Sequence, residues 1–327
     1  MTTDAQHYLV TGAAGFIGSR VVELLLEEGH AVTAVDNLND AYDVRLKRWR
    51  LDLLTGREGF HFHELDIEDL GATRRLFNTP YTAVINLAAR AGVRQSVTNP
   101  WVYFQTNVLG VLNLLELCRE SGTQKFVLSS TSSVYGDTAQ VPFREDAATD
   151  APLSPYAASK KSAEALAYTY HHLHGIDVSV LRYFTVYGPA GRPDMSLFRF
   201  VQRITEGRTI TVYGDGRQSR DFTFVDDIAR GTVAALRPLG FEVVNLGSDS
   251  PVTVNEAVSL VEELTEQTAK VNHEPMHPAD VGATWADITK AGSLLEWRPE
   301  TGLRDGVMRL IDWYRSNREW AREIETD

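Results

Sequence analysis

Three glycines at one spacing constrain this chain more than any other feature: Gly12, Gly15 and Gly18, in Gly12-Ala13-Ala14-Gly15-Phe16-Ile17-Gly18. They follow a short apolar run, His7-Tyr8-Leu9-Val10-Thr11. They open a stretch of helical periodicity, residues 16–28, that stops at Gly29. Glycine lets a strand turn tightly into a helix and lets the backbone approach a diphosphate closely. The helix start adds free N–H groups and a partial positive charge. A tight turn with no ligand has the same pattern, so the context has to decide.

The context is an acid at the right distance. A second apolar strand, residues 31–35, ends at Asp36, near the roughly 20-residue spacing of a dinucleotide fingerprint. A carboxylate there accepts both ribose hydroxyls and repels a 2′-phosphate, so the expected cofactor is NAD rather than NADP. Its expected contacts are Gly12, Gly15, Phe16, Ile17, Gly18, Asp36, Asn37, Ala88, Lys160 and Tyr183. Asp66 and Ile67, after a third strand, read either as an adenine contact or as a helix cap.

Further short apolar runs at 60–65, 83–87 and 126–128 alternate with helical segments, of which 101–120 is the longest. Such alternation implies an α/β fold: a Rossmann-type, doubly wound parallel sheet. After about residue 184 the pattern loosens and turn signals multiply (Gly188-Pro189, Gly191-Arg192-Pro193, Gly214-Asp215-Gly216). The expected organisation is a cofactor domain over 1–183 plus about 221–247, and a smaller, interleaved substrate domain over 184–220 and 248–327. The charged tail, 315–327, reads as a solvated helix end.

A second constellation carries chemistry. Tyr156-Ala157-Ala158-Ser159-Lys160 puts Tyr156 and Lys160 on one face of a helix that begins at Pro155 and runs to Gly175. A free phenol, with a pKa of about 10, is a poor base at neutral pH. A neighbouring ammonium and the positive nicotinamide favour the phenolate. Tyr156 can then take a hydroxyl proton while hydride leaves for NAD, and Lys160 can hold the nicotinamide ribose. Strand 126–128 runs into Ser129-Ser130-Thr131-Ser132-Ser133. Hydroxyls at the carboxyl end of a parallel strand face the binding crevice, and Thr131 is placed to donate to the reacting oxygen.

With these pieces in place the chain resembles, over nearly its whole length, the extended short-chain dehydrogenases/reductases, and among them the UDP-glucuronate 4-epimerases. Four segments carry the closer likeness: Asp36-Asn37-Leu38-Asn39-Asp40-Ala41-Tyr42-Asp43, Ala88-Ala89-Arg90-Ala91-Gly92-Val93-Arg94, Ser130-Thr131-Ser132-Ser133-Val134-Tyr135-Gly136 and 186–195. In that last segment a bulkier residue is common where Ala190 sits. The resemblance implies that Tyr156, Lys160 and Thr131 are catalytic. It implies a UDP-sugar substrate oxidised at C4, turned over within the site and reduced on its other face, with tightly bound NAD regenerated each turnover. A 4-keto uronic acid is a β-keto acid and tends to lose CO2, so its carboxylate must be held. Thr131, Ser132, Ser133 and Thr185 are the candidate donors and Arg192 the candidate cation. Related decarboxylases typically carry Glu where Ser133 stands, and 4,6-dehydratases Asp-Glu at Ser132-Ser133. The absence of both acids points to epimerisation. Arg220, with Arg217 as a further candidate, is assigned to the diphosphate, Asp280 to the ribose, and Arg94 to the substrate side. A decarboxylase, a neutral UDP-sugar 4-epimerase and, more distantly, a non-catalytic NAD-binding sensor are the competing expectations.

The net charge of −12 argues against a nucleic-acid partner, whose phosphates need a basic face. No apolar run reaches the roughly 20 residues that span a bilayer. The polar start, Met1 to Gln6, lacks a leader pattern. The single cysteine, Cys118, reads as a buried side chain; together these suggest the cytoplasm. His171, His172 and His174 crowd a helix end without completing a ligand set, so no metal is expected. Two long helical segments, 101–120 and 155–174, suit the four-helix bundle through which this family commonly forms homodimers. Asn107, on the first, is expected to order buried polar groups near Tyr156 and Lys160.

Overall fold

The computed structural model describes residues 5–137 and 140–326. The reading of the N-terminus falls mostly on residues 1–4, outside them. Seven strands form one parallel sheet: β1 (His7–Thr11), β2 (Ala31–Asp36), β3 (Phe60–Glu64), β4 (Ala83–Asn86), β5 (Lys125–Thr131), β6 (Asp177–Tyr183) and a late strand, Phe241–Leu246. Their order is β3-β2-β1-β4-β5-β6 and then the late strand. The winding reverses direction at β1, so a crevice opens between the carboxyl ends of β1 and β4, where ligands of doubly wound sheets bind. The expected fold class is therefore present. The helix Val225–Ala234 packs on the helix Phe16–Glu27 before the chain rejoins the sheet.

β5 is longer than the apolar run implies. Ser129, Ser130 and Thr131 continue its ladder against Leu181, Arg182 and Tyr183, so these hydroxyls belong to a buried strand end and not to a loop. The 101–120 segment is interrupted. It is α-helical over Trp101–Phe104, π-helical over Gln105–Gly110 and α-helical again over Val111–Ser121. The wide turn carries Asn107 inward and lets Ile67 close on Gly110, where a side chain would not fit.

The other strands make two-stranded pairs. Thr185–Tyr187 lies beside Phe222–Phe224, Thr209–Tyr213 beside Lys270–Glu274, and Ser219–Arg220 beside Val252–Thr253. The helix Ser196–Thr205 packs against Val254–Thr265 and Leu303–Ser316. The expectation of a solvated tail holds for its charged side chains among the described residues, which are exposed, but not for Ala321, Ile324 and Thr326, which are buried. Gln202 donates to the carbonyls of Ala321 (2.9 Å) and Ile324 (2.8 Å), Thr326 donates back to Gln202 (3.0 Å), and Ile324 is buried in the core. Among the described residues, no helix is long and apolar enough to cross a membrane.

Candidate active site

One cleft of about 1060 Å³ runs across the carboxyl ends of the sheet. That is room for two ligands of nucleotide size. Every residue assigned above to cofactor, catalysis or substrate lines it, except Arg217, which lies exposed beside Asp215.

The glycine loop fits a diphosphate. Gly12 has a φ of 69°, and a Cβ there would lie 2.6 Å from the backbone nitrogen of Ala88. A Cβ on Gly18 would strike the carbonyl oxygen of Gly12. The loop is therefore pressed against the chain just after β4 and against its own helix. At the end of β2, Asp36 accepts from the N–H groups of Ala14 (3.2 Å) and Leu38 (2.9 Å) and lies 3.4 Å from the ammonium of Lys47. Asp66 accepts from Asn37 (2.6 Å) and from the N–H of Glu68 (2.9 Å). The cap of the next helix is Asp69, not Asp66, which leaves Asp66 and Ile67 as cleft residues. Tyr183 turns its hydroxyl to Thr232 (2.8 Å).

The helix Pro155–His174 is set by Ser154, whose hydroxyl caps the N–H of Ala157, by Pro155 in its first turn and by left-handed Gly175 at its end. It places Tyr156 and Lys160 in the cleft beside Thr131. Asn107 fixes that face from behind, donating to Ser159 (2.9 Å) and to the carbonyl of Arg90 (3.0 Å) while accepting from the N–H of Arg90 (2.9 Å). Lys160 reaches Ser129 at 3.4 Å. One turn on, Glu164 accepts from Ser130 (2.6 Å) and from both arms of Arg182 (2.9 and 2.8 Å), a buried network beneath the lysine.

Burial raises the Tyr156 phenol above its ordinary value, the Thr131 hydroxyl and the Arg192 cation oppose that rise, and Asp194 adds to it. Burial lowers Lys160 to about 8, against the pull of Glu164. In the protein alone the neutral phenol is thus favoured, and Arg192 and the Thr131 hydroxyl oppose it. The Tyr103 ring stands edge-on to Tyr156, with ring centres 6.1 Å apart.

On the substrate side, Thr131 donates to Ser133 (3.2 Å) and caps its N–H, starting the short turn Ser132–Tyr135. Arg192 holds Asp194 through two bonds, 3.1 and 2.5 Å. Arg94 bonds Asp280 (2.5 Å) and lies 3.6 Å over the Tyr213 ring, joining the two sides of the cleft near Arg220. Burial lowers the Arg220 guanidinium. Sequence reasoning passed over Lys47, Asp194, Tyr103 and Tyr213.

The chain matches the description "NAD dependent epimerase/dehydratase family" over residues 8–247. It is 55% identical to a UDP-glucuronate 4-epimerase of Thermodesulfobacterium geofontis over 98% of this chain and 99% of that protein. The crystal structure of a UDP-glucuronic acid 4-epimerase from Bacillus cereus, in complex with UDP-glucuronic acid and NAD, is 37% identical with a TM-score of 0.89, covering 95% of this chain and 99% of the other. A UDP-glucose 4-epimerase of Thermotoga maritima with UDP-glucose is 34% identical with a TM-score of 0.87, covering 95% of this chain and 99% of the other. A parallel sheet reversing at β1, a bare glycine cradle and a Tyr156/Lys160/Thr131 cluster across one cleft agree with these likenesses: the chain belongs to the NAD-dependent epimerase/dehydratase family.

Proposed function

We propose that the protein is an NAD-dependent 4-epimerase interconverting UDP-glucuronate and UDP-galacturonate through a transient 4-keto sugar, without decarboxylation. The observation that carries this reading is one wall of the cleft. There Thr131, Ser132, Ser133, Thr185 and Arg192 line the cleft beside Tyr156, and neither position 132 nor position 133 is acidic.

NAD held by the glycine loop, Asp36 and Lys160 supplies reversible hydride transfer at C4. Tyr156 takes the O4 proton and later returns it, and Thr131 donates a hydrogen bond to the same oxygen. Lys160, charged below about pH 8, supports the phenolate. The hydroxyl donors and Arg192 keep the carboxylate ionised and fix its orientation, so that the C5–C6 bond of the keto sugar is slow to break. Arg220 and Asp280 receive the nucleotide.

Incubation with UDP-glucuronate, followed by proton NMR and mass spectrometry, tests this reading. An isomer of unchanged mass with the H4 coupling of a galacto sugar is expected. Release of CO2 would make the protein a decarboxylase. Turnover of neutral UDP-sugars only would move it to the other epimerases.

The same reading makes the molecule a cytoplasmic homodimer. Trp101 is 76% exposed, and Phe104 and Leu109 are exposed beyond it, as are Tyr168 and Leu173 on the second long helix. Large apolar side chains left on two helices suit a bundle with a second copy. Light scattering is expected to give twice the 36.4 kDa of the chain, and a monomer at micromolar concentration would overturn the assignment.

A further inference from the structure

The geometry points to Arg50 as a positioning residue that locks the cofactor loop to the loop carrying Arg192, and so keeps the uronate carboxylate aligned. This rests on the epimerase reading above.

Arg50 lies on the helix Val44–Asp52 and is 2% exposed. It stands behind the wall of the cleft and touches no substrate. A guanidinium has five N–H donors in a rigid fork, and here each has an acceptor. Nε and Nη2 both donate to the carbonyl of Ala190, at 3.1 and 2.6 Å. The second hydrogen of Nη2 faces the carbonyl of Gly191 at 3.4 Å. Nη1 donates to the carbonyl of Ala14 at 3.1 Å and to the Tyr42 hydroxyl at 2.8 Å. The rings of Phe16 and Tyr42 flank the group at 5.8 and 5.6 Å. One side chain thus ties the glycine loop to the 190–191 turn.

That turn needs tying. Ala190 has a φ of 50°, in the left-handed region that a residue with a Cβ occupies at some strain. Two hydrogen bonds to its carbonyl hold it there. Gly191 is tightly packed, since a Cβ there would lie 3.1 Å from the carbonyl oxygen of Gly188 and 3.6 Å from the ring of Phe16 in the glycine loop. Arg192 follows directly, so its fork inherits its position from Arg50. All four of Arg50's acceptors are neutral oxygens, so Lys or a neutral donor can replace the bonds only in part.

A misplaced Arg192 lets the carboxylate of the 4-keto sugar rotate. The C5–C6 bond then breaks, its electron pair passes into the C4 carbonyl as an enolate, CO2 leaves and C5 takes a proton. A 4-keto pentose results, and the reduced cofactor returns its hydride to C4 of that sugar as it does to the uncleaved one.

The experiment compares wild type, Arg50→Gln and Arg50→Lys for KM and kcat with UDP-glucuronate, CO2 per turnover, NAD retained after gel filtration, and melting temperature. Displacements of about 1 Å can change rates by up to about 100-fold. For Arg50→Gln we expect KM to rise about tenfold with kcat changed less, together with CO2 release and a pentose product. Arg50→Lys should restore part of both. A purely structural arginine would lower the melting temperature and leave KM and the product ratio alone; that result in a folded variant overturns the proposal. If Arg50→Gln does not fold, Arg50→Lys decides. It keeps the charge but presents one ammonium where a fork spans Ala14 and Ala190, and a wild-type product ratio in it overturns the proposal. A wild type inactive on UDP-glucuronate overturns the epimerase reading and this role with it, whereas an active wild type with unaffected variants overturns the role alone.

Discussion

Arg192 donates from Nε and Nη2 to the two carboxylate oxygens of Asp194, at 3.1 and 2.5 Å. The cation assigned to the substrate's carboxylate is therefore already holding a carboxylate two residues away. A bound uronate must share that fork or displace Asp194 from it, whereas a neutral sugar leaves the pair untouched. Asp194→Asn removes the competitor and keeps the size. We expect UDP-glucuronate to bind about tenfold tighter, or 1.4 kcal/mol, with UDP-glucose unchanged, as read by calorimetry. Arg192→Ala should weaken UDP-glucuronate far more than UDP-glucose. Equal effects on the two sugars would remove Arg192 as the anchor.

Tyr156→Phe removes the cleft phenol that meets the Thr131 hydroxyl. General-base contributions run to about 10²–10⁴ in rate, so turnover should fall by about a thousandfold. The glycine loop and Asp36 are untouched, so NAD should co-purify as before. A fully active Tyr156→Phe protein would end the catalytic assignment.

What was legible in the sequence was local. The glycine triplet, Asp36 and the Tyr156–Lys160 pair each announce themselves within a few residues, because strand, turn and helix start are fixed by neighbours in the chain. What was not legible depends on distant partners. Arg50 finds its acceptors 36 and 140 positions away, from a helix, Val44–Asp52, rich in charged residues. Lys47 and Arg50 are buried nonetheless, on the same helix face as Leu46 and Leu51. That shared face was the only local signal. The π-helical turn at Asn107 is equally a product of packing, here against Ile67 and Ser159.

Burial lowers Lys160 to about 8 from 10.5. Between those values the unfolded chain keeps a proton that the folded chain has lost. The contribution of Lys160 to stability is therefore smallest below about pH 8 and rises as pH climbs toward 10.5. The buried ammonium is worth up to ~3 kcal/mol of destabilisation at neutral pH. Lys160→Met should accordingly be more stable than wild type at neutral pH, with the gap closing across that window. Urea unfolding of both proteins over this range measures it. A gap that does not change with pH would mean Lys160 is as well solvated when folded as when unfolded.

Gly18 sits where a Cβ would collide with the carbonyl oxygen of Gly12, a backbone atom that cannot turn aside. Gly18→Ala must push the first helix away from the loop, which removes both the close approach and the alignment of the helix N–H groups with a diphosphate. We expect the variant to fold but to retain less than about a tenth of the NAD, a loss of more than ~1.4 kcal/mol in binding.

The buried tail makes a prediction the sequence alone would have denied. Ile324 is 1% exposed and lies in the main core, and its carbonyl accepts from Gln202. Truncating a buried isoleucine removes its transfer free energy and leaves a cavity, typically 2–5 kcal/mol in all. A solvated residue at the same position would contribute within about 0.5 kcal/mol. Ile324→Ala should therefore lower stability by about 2–4 kcal/mol in denaturant unfolding. Ile324 is not among the residues that line the cleft, so NAD content should be unchanged in the folded fraction. A change under 0.5 kcal/mol would return the tail to solvent.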